Sequence, residues 1–128
     1  MSSAAYTELC GLLAKAAHLD AIAQLAGWDQ ETYMPGGGAA GRSEQAALIA
    51  GIVHERKTAK KLGELIGTCE RNNALLKDEA IAANLREMRR DYDIATKLPG
   101  ELVEELAKVS SQALDAWMVP KTRWPVSA

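Results

Sequence analysis

The twelve residues from Gly27 to Gly38 constrain the fold most strongly, because a long helical pattern ends there and helical patterns resume beyond it. Pro35 cannot continue a helix, since its ring clashes with the preceding turn and it has no N–H to donate. The glycines at 36–38 allow the positive φ angles that suit a tight reversal. We therefore predict a structural turn between two helices, formed by Trp28, Asp29, Thr32, Met34, Pro35, Gly36 and Gly38.

The side chains of this turn have two predicted roles. Trp28, Tyr33 and Met34 are large and apolar, and we expect them to fill the corner between the two helices. Asp29 is expected to accept hydrogen bonds from turn N–H groups that the first helix no longer satisfies.

Apolar residues recur at three- and four-residue steps through most of the chain, which is the spacing of amphipathic helices. The predicted helices cover residues 4–31, 38–57, 58–69 and 77–97, and a fifth begins at Pro99. Thr58 is the predicted N-cap of the third helix, and residues 71–73 are expected to close it. Pro99 suits the first helical position, where a missing N–H costs nothing.

Two of these helices carry a stripe predicted to be buried. On the fourth helix the stripe is Ile81, Leu85, Met88, Tyr92 and Ala95, a seam for lengthwise packing. On the fifth helix it is Leu102, Leu106, Val109, Ala113 and Trp117.

No segment alternates apolar and polar residues with the period of a strand. The fold class is therefore predicted to be all-α, an antiparallel bundle of about five helices without a sheet. Residues 1–118 are assigned to one helical domain. Residues 119–128 carry Pro120 and Pro125 without periodicity and are expected to form an irregular tail.

Composition excludes several functional classes. With 128 residues the chain can bury a core without disulfides or metals. A formal net charge of −2 argues against nucleic acid or an anionic membrane as partner. The sequence shows neither a leader peptide nor an apolar run of about eighteen residues, so we expect a cytoplasmic protein. Cys10 and Cys69 are expected to be buried free thiols.

The glycine-rich segment at 36–41 matches the spacing of a dinucleotide-binding fingerprint, but that fingerprint follows a strand, whereas here a helix and Pro35 precede it. A turn followed by a helix start is the favoured interpretation. A weaker hypothesis is that free N–H groups there, together with Arg42, bind a carboxylate or phosphate.

Residues 54–58, HERKT, begin like the zinc-peptidase motif HExxH, but Thr58 stands where the second histidine is needed. A site combining His18, His54, Cys10 and Cys69 is left open, although nothing in their spacing favours it. Because no metal site is evident, no cofactor is expected in this chain.

The remaining polar residues have structural interpretations. Glu104 and Lys108 are expected to pair one helical turn apart. Arg86, Arg89 and Arg90 alternate with acidic residues, which favours a salt-bridged face over a nucleic-acid surface. Ser110 and Ser111 have no nearby histidine and acid, so no catalytic nucleophile is evident.

Several ordered motifs resemble one known family. WDQETYMPGGG at 28–38, HERKT at 54–58, LREMRRDYD at 85–93 and LPGELVEELA at 98–107 are similar to the start of the M32 metallocarboxypeptidases, also known as thermostable or Taq-type carboxypeptidases. The resemblance covers residues 6–117. It implies an all-helical fold and, in full-length members, a zinc- or cobalt-dependent enzyme that removes C-terminal residues from peptides. It also implies that HExxH and a further glutamate ligand lie far downstream, so no catalytic or metal residue of the family maps onto this chain.

These observations favour a stand-alone or truncated product that lacks a catalytic zinc site and acts as a structural or interaction module. We expect it to form homodimers, because apolar surface that the rest of such a protein covers needs another partner. The alternative is part of a metallocarboxypeptidase that is active only with the missing catalytic portion. A third hypothesis is an anion- or peptide-binding module that uses the glycine turn and Arg42.

Overall fold

The computed structural model describes residues 3–123 of the chain, and the side chains of residues 3–118. Within that range the chain forms helices and no strand. The helices are α1 (Ala4–Thr32), α2 (Ala39–Lys57), α3 (Lys60–Glu70), α4 (Asn73–Leu76), α5 (Glu79–Thr96) and α6 (Gly100–Arg123), with a 3₁₀ turn (Gly36–Gly38) between α1 and α2. The prediction of an all-α bundle with about five helices is confirmed, since α4 is a single turn.

Two predicted helix boundaries are wrong in detail. The Thr58 hydroxyl donates to the carbonyl of His54 at 2.7 Å, so Thr58 closes α2, and Ala59 is the residue that precedes α3. Asn72 does not simply end α3, because its side chain accepts the N–H of Leu75 at 3.1 Å and caps the short helix α4. Both side chains satisfy backbone groups that a helix end leaves without partners.

The last helix also differs from its prediction at both ends. It begins at Gly100, so Pro99 precedes it, and the Pro99 carbonyl accepts the N–H groups of Leu102 and Val103. It continues to Arg123, past residue 119 where the irregular tail was predicted to start. A proline removes one N–H from a helix, and here that loss does not end it. Residues 124–128 lie outside the described residues.

The main hydrophobic core lies where the first half of α1 meets α3, α4 and α5. The predicted seam of α5 takes part in it, because Leu85 is buried and Ile81, Met88 and Tyr92 pack against the cluster. The buried members are Leu9, Leu62, Leu65, Ile66, Cys69, Leu75 and Leu85.

Small residues dominate a second packing region, in which α2 lies against both α6 and the second half of α1. Ser43 and Val53 of α2 are buried there. Gly51 is buried at the contact of α2 with α6, and a Cβ at this position would overlap the carboxylate of Glu104. The missing side chain leaves room for the Glu104 carboxylate of α6. Lys108 pairs across the two helices with Glu44 at 2.9 Å, not with Glu104 as predicted.

The predicted buried stripe of α6 is wrong. Leu102, Leu106 and Val109 are 44%, 54% and 48% exposed, and Ala113 and Trp117 are exposed as well. The helix instead turns its other apolar side inward, and that side carries Val103, Ala107, Ser111 and Leu114. Smaller residues on the inner side allow α6 to lie close to α2, so the bulkier stripe faces outward.

The free cysteines lie near the main core. Cys69 is buried, whereas Cys10 is half-buried and so less enclosed than predicted. Burial raises the pKa of the Cys69 thiol, with smaller contributions from Cys10 and Glu70. Both thiols are therefore packing groups in the described structure.

Helix α1 is long and apolar enough, by length and composition alone, to cross a membrane, a property that the sequence analysis did not expect. Mostly buried core helices of soluble proteins meet the same criterion, but only 11% of the apolar window of α1 is buried, although α1 packs against α2 and α3.

The predicted salt-bridged face of α5 is present around Arg89. Its guanidinium donates to both carboxylate oxygens of Glu70 on α3, at 2.6 and 3.2 Å, and lies 3.6 Å from Asp93. Arg90 pairs with Glu87 at 3.7 Å. The hydrogen bond from Arg89 lowers the pKa of Glu70, and the same bond raises the pKa of Arg89.

Replacing Glu70 with glutamine is expected to lower the free energy of unfolding by about 0.5 kcal/mol at neutral pH, a small loss because both partners are about one-third exposed. A carboxyl whose pKa is lowered by folding stabilises the protein above its ordinary value of 4.5, and that contribution disappears as the pH falls through the lower folded value. The difference between the proteins should therefore shrink in acid.

Urea denaturation at pH 7 and again at about pH 3 measures this difference. Glu87→Gln is the matched control, because its pair with Arg90 is longer and more exposed. A Glu70→Gln deficit of equal size at both pH values would contradict the assignment.

Candidate functional site

Backbone hydrogen bonds close the turn between α1 and α2, in which Pro35 is extended and no described residue has a positive φ. The carbonyl of Asp29 accepts the N–H groups of Tyr33 and Met34 at 3.0 and 2.9 Å, and the Pro35 carbonyl accepts the N–H of Gly38 at 2.9 Å. No glycine among residues 3–123 has a positive φ. The expectation of positive φ is therefore wrong, because a 3₁₀ turn reverses the chain without it.

The aromatic residues of the turn do not fill the corner as predicted. Trp28 is 54% exposed and Tyr33 is 76% exposed, and their ring centroids lie 5.5 Å apart on the outside of the turn. Met34 is half-buried and lies against Gly38, and the Thr32 hydroxyl donates to the Trp28 carbonyl at 2.7 Å. The two aromatic rings are therefore surface groups that lie against each other.

Arg42 of α2 forms hydrogen bonds with the C-terminal part of α1. Its guanidinium donates to the Asp29 carboxylate at 2.7 Å and to the Ala26 carbonyl at 3.0 Å. The Asp29 side chain thus accepts from Arg42, whereas the sequence analysis expected it to accept from the turn. Because Arg42 is already paired with a carboxylate, the structure adds no support to the hypothesis that it binds a free anion.

A buried polar bridge joins α1 to α6. The Gln30 side-chain amide donates to the Ser111 carbonyl, the Ser111 hydroxyl donates back to the Gln30 side-chain oxygen, and both distances are 3.0 Å. Both residues are buried. The sequence analysis missed this pair, although Gln30 lies one turn beyond Ala26 on the face of α1 that meets α2, which is an unusual place for an amide.

A groove with a volume of about 520 Å³ opens beside this bridge. Its floor is α2, one wall is the second half of α1, and the other wall is the inner side of α6. The polar lining side chains include Asp20, Gln30, Arg42, His54 and Lys57. Most of the other lining residues are small or apolar, and they include Ala23, Ala26, Gly27, Ala46, Ile49, Ala50, Val53, Val103 and Ala107.

The described residues do not provide a metal site. No group of three or more His, Cys, Asp or Glu side chains in this part of the chain is arranged to hold an ion. At the HExxH-like segment, Thr58 uses its hydroxyl to donate to the backbone of His54. The set of His18, His54, Cys10 and Cys69, which the sequence analysis left open, is therefore not brought together.

The outer side of α6 continues this apolar character beyond the groove. We define the outer α6 stripe as Leu102, Leu106, Val109 and Ala113, all of which are exposed.

Comparison with known proteins agrees with the motifs. Residues 8–125 match the sequence profile of the family described as Carboxypeptidase Taq (M32) metallopeptidase, so the match extends beyond residue 117. Thermostable carboxypeptidase 1 of Thermus thermophilus is 34% identical over 122 residues, which cover 94% of this chain and 24% of that protein.

This chain thus spans about a quarter of the length of that relative. No solved structure matches the chain. Because the family profile covers nearly all of its residues, the chain belongs to the Carboxypeptidase Taq (M32) metallopeptidase family.

Proposed function

We propose that this chain is a helical interaction module of the M32 family that associates with a second copy of itself and has no peptidase activity on its own. The observation that carries the proposal is the outer α6 stripe, whose leucines and valine are about half exposed in the single chain. Covering apolar surface stabilises association by about 25 cal/mol for each Å² removed from water. No group of three or more potential metal ligands occurs among the described side chains, which is compatible with a chain that lacks peptidase activity on its own.

The share of the Thermus relative that this chain matches favours a second candidate function. That protein is named a carboxypeptidase, and the chain matches 24% of it. On this hypothesis the chain belongs to a zinc-dependent metallocarboxypeptidase and supports the release of C-terminal residues only when the catalytic portion is present. The same exposed apolar surface would then be covered by that portion.

Light scattering coupled to size-exclusion chromatography tests self-association of the purified chain over a wide range of concentrations. We expect the average mass to rise from 13.8 kDa towards twice that value. A mass that stays at that of the monomer at the highest concentration would refute self-association.

The claim that the chain has no peptidase activity is tested by adding zinc or cobalt to the purified chain and measuring bound metal and the release of C-terminal residues from peptides. Neither stoichiometric metal nor turnover is expected. Turnover that appears only after adding the remaining portion of the Thermus relative would favour the second candidate. Turnover by the chain alone would refute the proposal.

A further inference from the structure

The groove between α1, α2 and α6 has the size and the lining of a site for a small ligand. Its volume of about 520 Å³ lies within the range of roughly 300–1,000 Å³ that small-molecule sites occupy. The lining residues of α2 run from Arg42 to Lys57, so the groove extends for about 20 Å along this helix. Such a length suits an elongated molecule.

Hydrogen-bond donors gather at the end of the groove that is formed by the last turn of α2. His54 and Lys57 are three positions apart, so their side chains lie on the same face of the helix. Among the described residues the His54 imidazole has no hydrogen-bond or ion-pair partner, and an imidazole keeps at least one N–H donor in either protonation state. The Lys57 Nζ lies 3.9 Å from the Asp20 carboxylate, which is beyond hydrogen-bond distance. Both groups are therefore available to a negatively charged oxygen.

The first turn of α6 adds positive potential at this end of the groove. The His54 ring lies beside Gly100, the first residue of α6, where an added Cβ would be 3.6 Å from the ring. The N-terminus of a helix carries a partial positive charge. Two carboxylates oppose it, but the Asp20 side chain is 49% exposed and Glu101 is exposed, so water weakens their effect. This end of the groove therefore favours an anionic group.

The rest of the groove offers few groups that a polar ligand could use. At the far end the side chains of Gln30 and Ser111 bond to each other, and Arg42 is bonded to Asp29. Between the two ends most lining residues are alanine, glycine, isoleucine or valine. A ligand that fills the groove therefore needs an apolar body and one negatively charged end.

We propose that the groove binds an aliphatic carboxylate, whose carboxylate accepts hydrogen bonds from His54 and Lys57 and whose hydrocarbon chain lies along α2 towards Gln30. Burial of the chain supplies affinity, and the charged end fixes its direction. The site is separate from the outer α6 stripe, because the inner side of α6 lines the groove. The inference therefore goes beyond the proposed self-association and does not depend on it.

Decanoate and decylamine test the charge preference, because they share one hydrocarbon chain and carry head groups of opposite sign. Titration of the nitrogen-15-labelled chain, followed by NMR, measures both the affinity and the position of each ligand. We expect decanoate to bind at least about tenfold more tightly than decylamine. The amide signals that move should belong to groove-lining residues such as Ala46, Ala50 and Ala107.

Two substitutions at the charged end should change decanoate affinity in opposite directions. Lys57→Met keeps an apolar stem and removes the charge, so binding should weaken about fivefold. Asp20→Asn removes a carboxylate that repels the ligand, so binding should strengthen about threefold. Lys61→Met is the matched control and should have no effect, since Lys61 lies on α3 and pairs with Glu8.

Filling the groove provides a measurement that does not depend on charge. Ala50→Leu places a larger side chain in the lining of α2, in the space assigned to the hydrocarbon chain, so decanoate affinity should fall at least about tenfold. Ala21→Leu adds the same atoms at an exposed position of α1 and should leave the affinity unchanged. Circular dichroism should show the same helix content for both variants.

Equal affinity for decanoate and decylamine, or equal binding by Lys57→Met and Lys61→Met, would overturn the assignment of the charged end. Signals that move on the outer α6 stripe, with no effect of Ala50→Leu, would overturn the groove as the site. If the groove amides shift with protein concentration alone, a second copy occupies the groove and the inference fails. A chain that stays monomeric and binds decanoate as described would refute the proposed self-association and leave this inference standing.

Discussion

Replacing Ile66 with alanine is expected to lower the free energy of unfolding by about 3 kcal/mol. Ile66 is fully buried in the cluster where α1, α3, α4 and α5 meet, so its truncation removes apolar contacts and leaves a cavity. A domain is stable by only about 5–15 kcal/mol, so this loss is a large share of the total. Few large side chains are buried in the described part of this chain, which leaves little to compensate.

Guanidinium denaturation measures the effect, with both proteins at one concentration because the proposed self-association would add stability. The matched control is Ile22→Ala, which removes the same atoms from a side chain that is 54% exposed on α1. The control should lose about 0.5 kcal/mol. Equal losses in the two variants would mean that the cluster around Ile66 is not the core of the protein.

The sequence predicts the helices well because local periodicity carries that information. Leu85 is a clear example, since its neighbours Ile81 and Met88 recur at helical steps and all three meet the core as expected. The same regularity fails for α6, because this helix has two apolar sides. Size alone favoured the side with Leu102 and Leu106, whereas in the structure the side with Val103, Ala107 and Ser111 faces α1 and α2.

The polar contacts of the candidate site are harder to predict because they join distant parts of the chain. Gln30 and Ser111 are 81 positions apart, and no sequence motif connects them. Arg42 and Asp29 are closer in sequence, yet their pairing depends on how the turn places α2 beside α1. The family motif marks the turn but does not say which of its side chains are buried.

Replacing Gln30 with alanine is expected to lower the free energy of unfolding by about 2–3 kcal/mol. The substitution removes two hydrogen bonds at once and leaves the buried Ser111 hydroxyl without its acceptor. Ser111→Ala should cost less, about 1 kcal/mol, because it removes one of the two bonds and the Gln30 amide can still donate to the backbone.

A double-mutant cycle separates the coupling energy of the Gln30–Ser111 hydrogen bonds from the loss of packing that each substitution causes. In Gln30→Leu with Ser111→Ala, both side-chain polar partners are replaced by apolar groups, so the double variant should be more stable than Gln30→Leu alone. Denaturant titration of the four proteins gives the coupling energy, which we expect to be about 1–2 kcal/mol in favour of the matched pairs.

Additive losses would mean that the two side chains do not act on each other, and that α1 and α6 are held together by packing through α2. A coupled result would instead identify the bridge as the contact that fixes α6 relative to α1, and therefore the direction in which the outer α6 stripe faces. Gln30→Ala should then also weaken dimerisation, although residue 30 lies away from the stripe, whereas Ile22→Ala should not. If both variants lose pairing, circular dichroism separates the two causes: lost helix would indicate general unfolding, and an intact fold would indicate an interface on α1, where Ile22 is exposed.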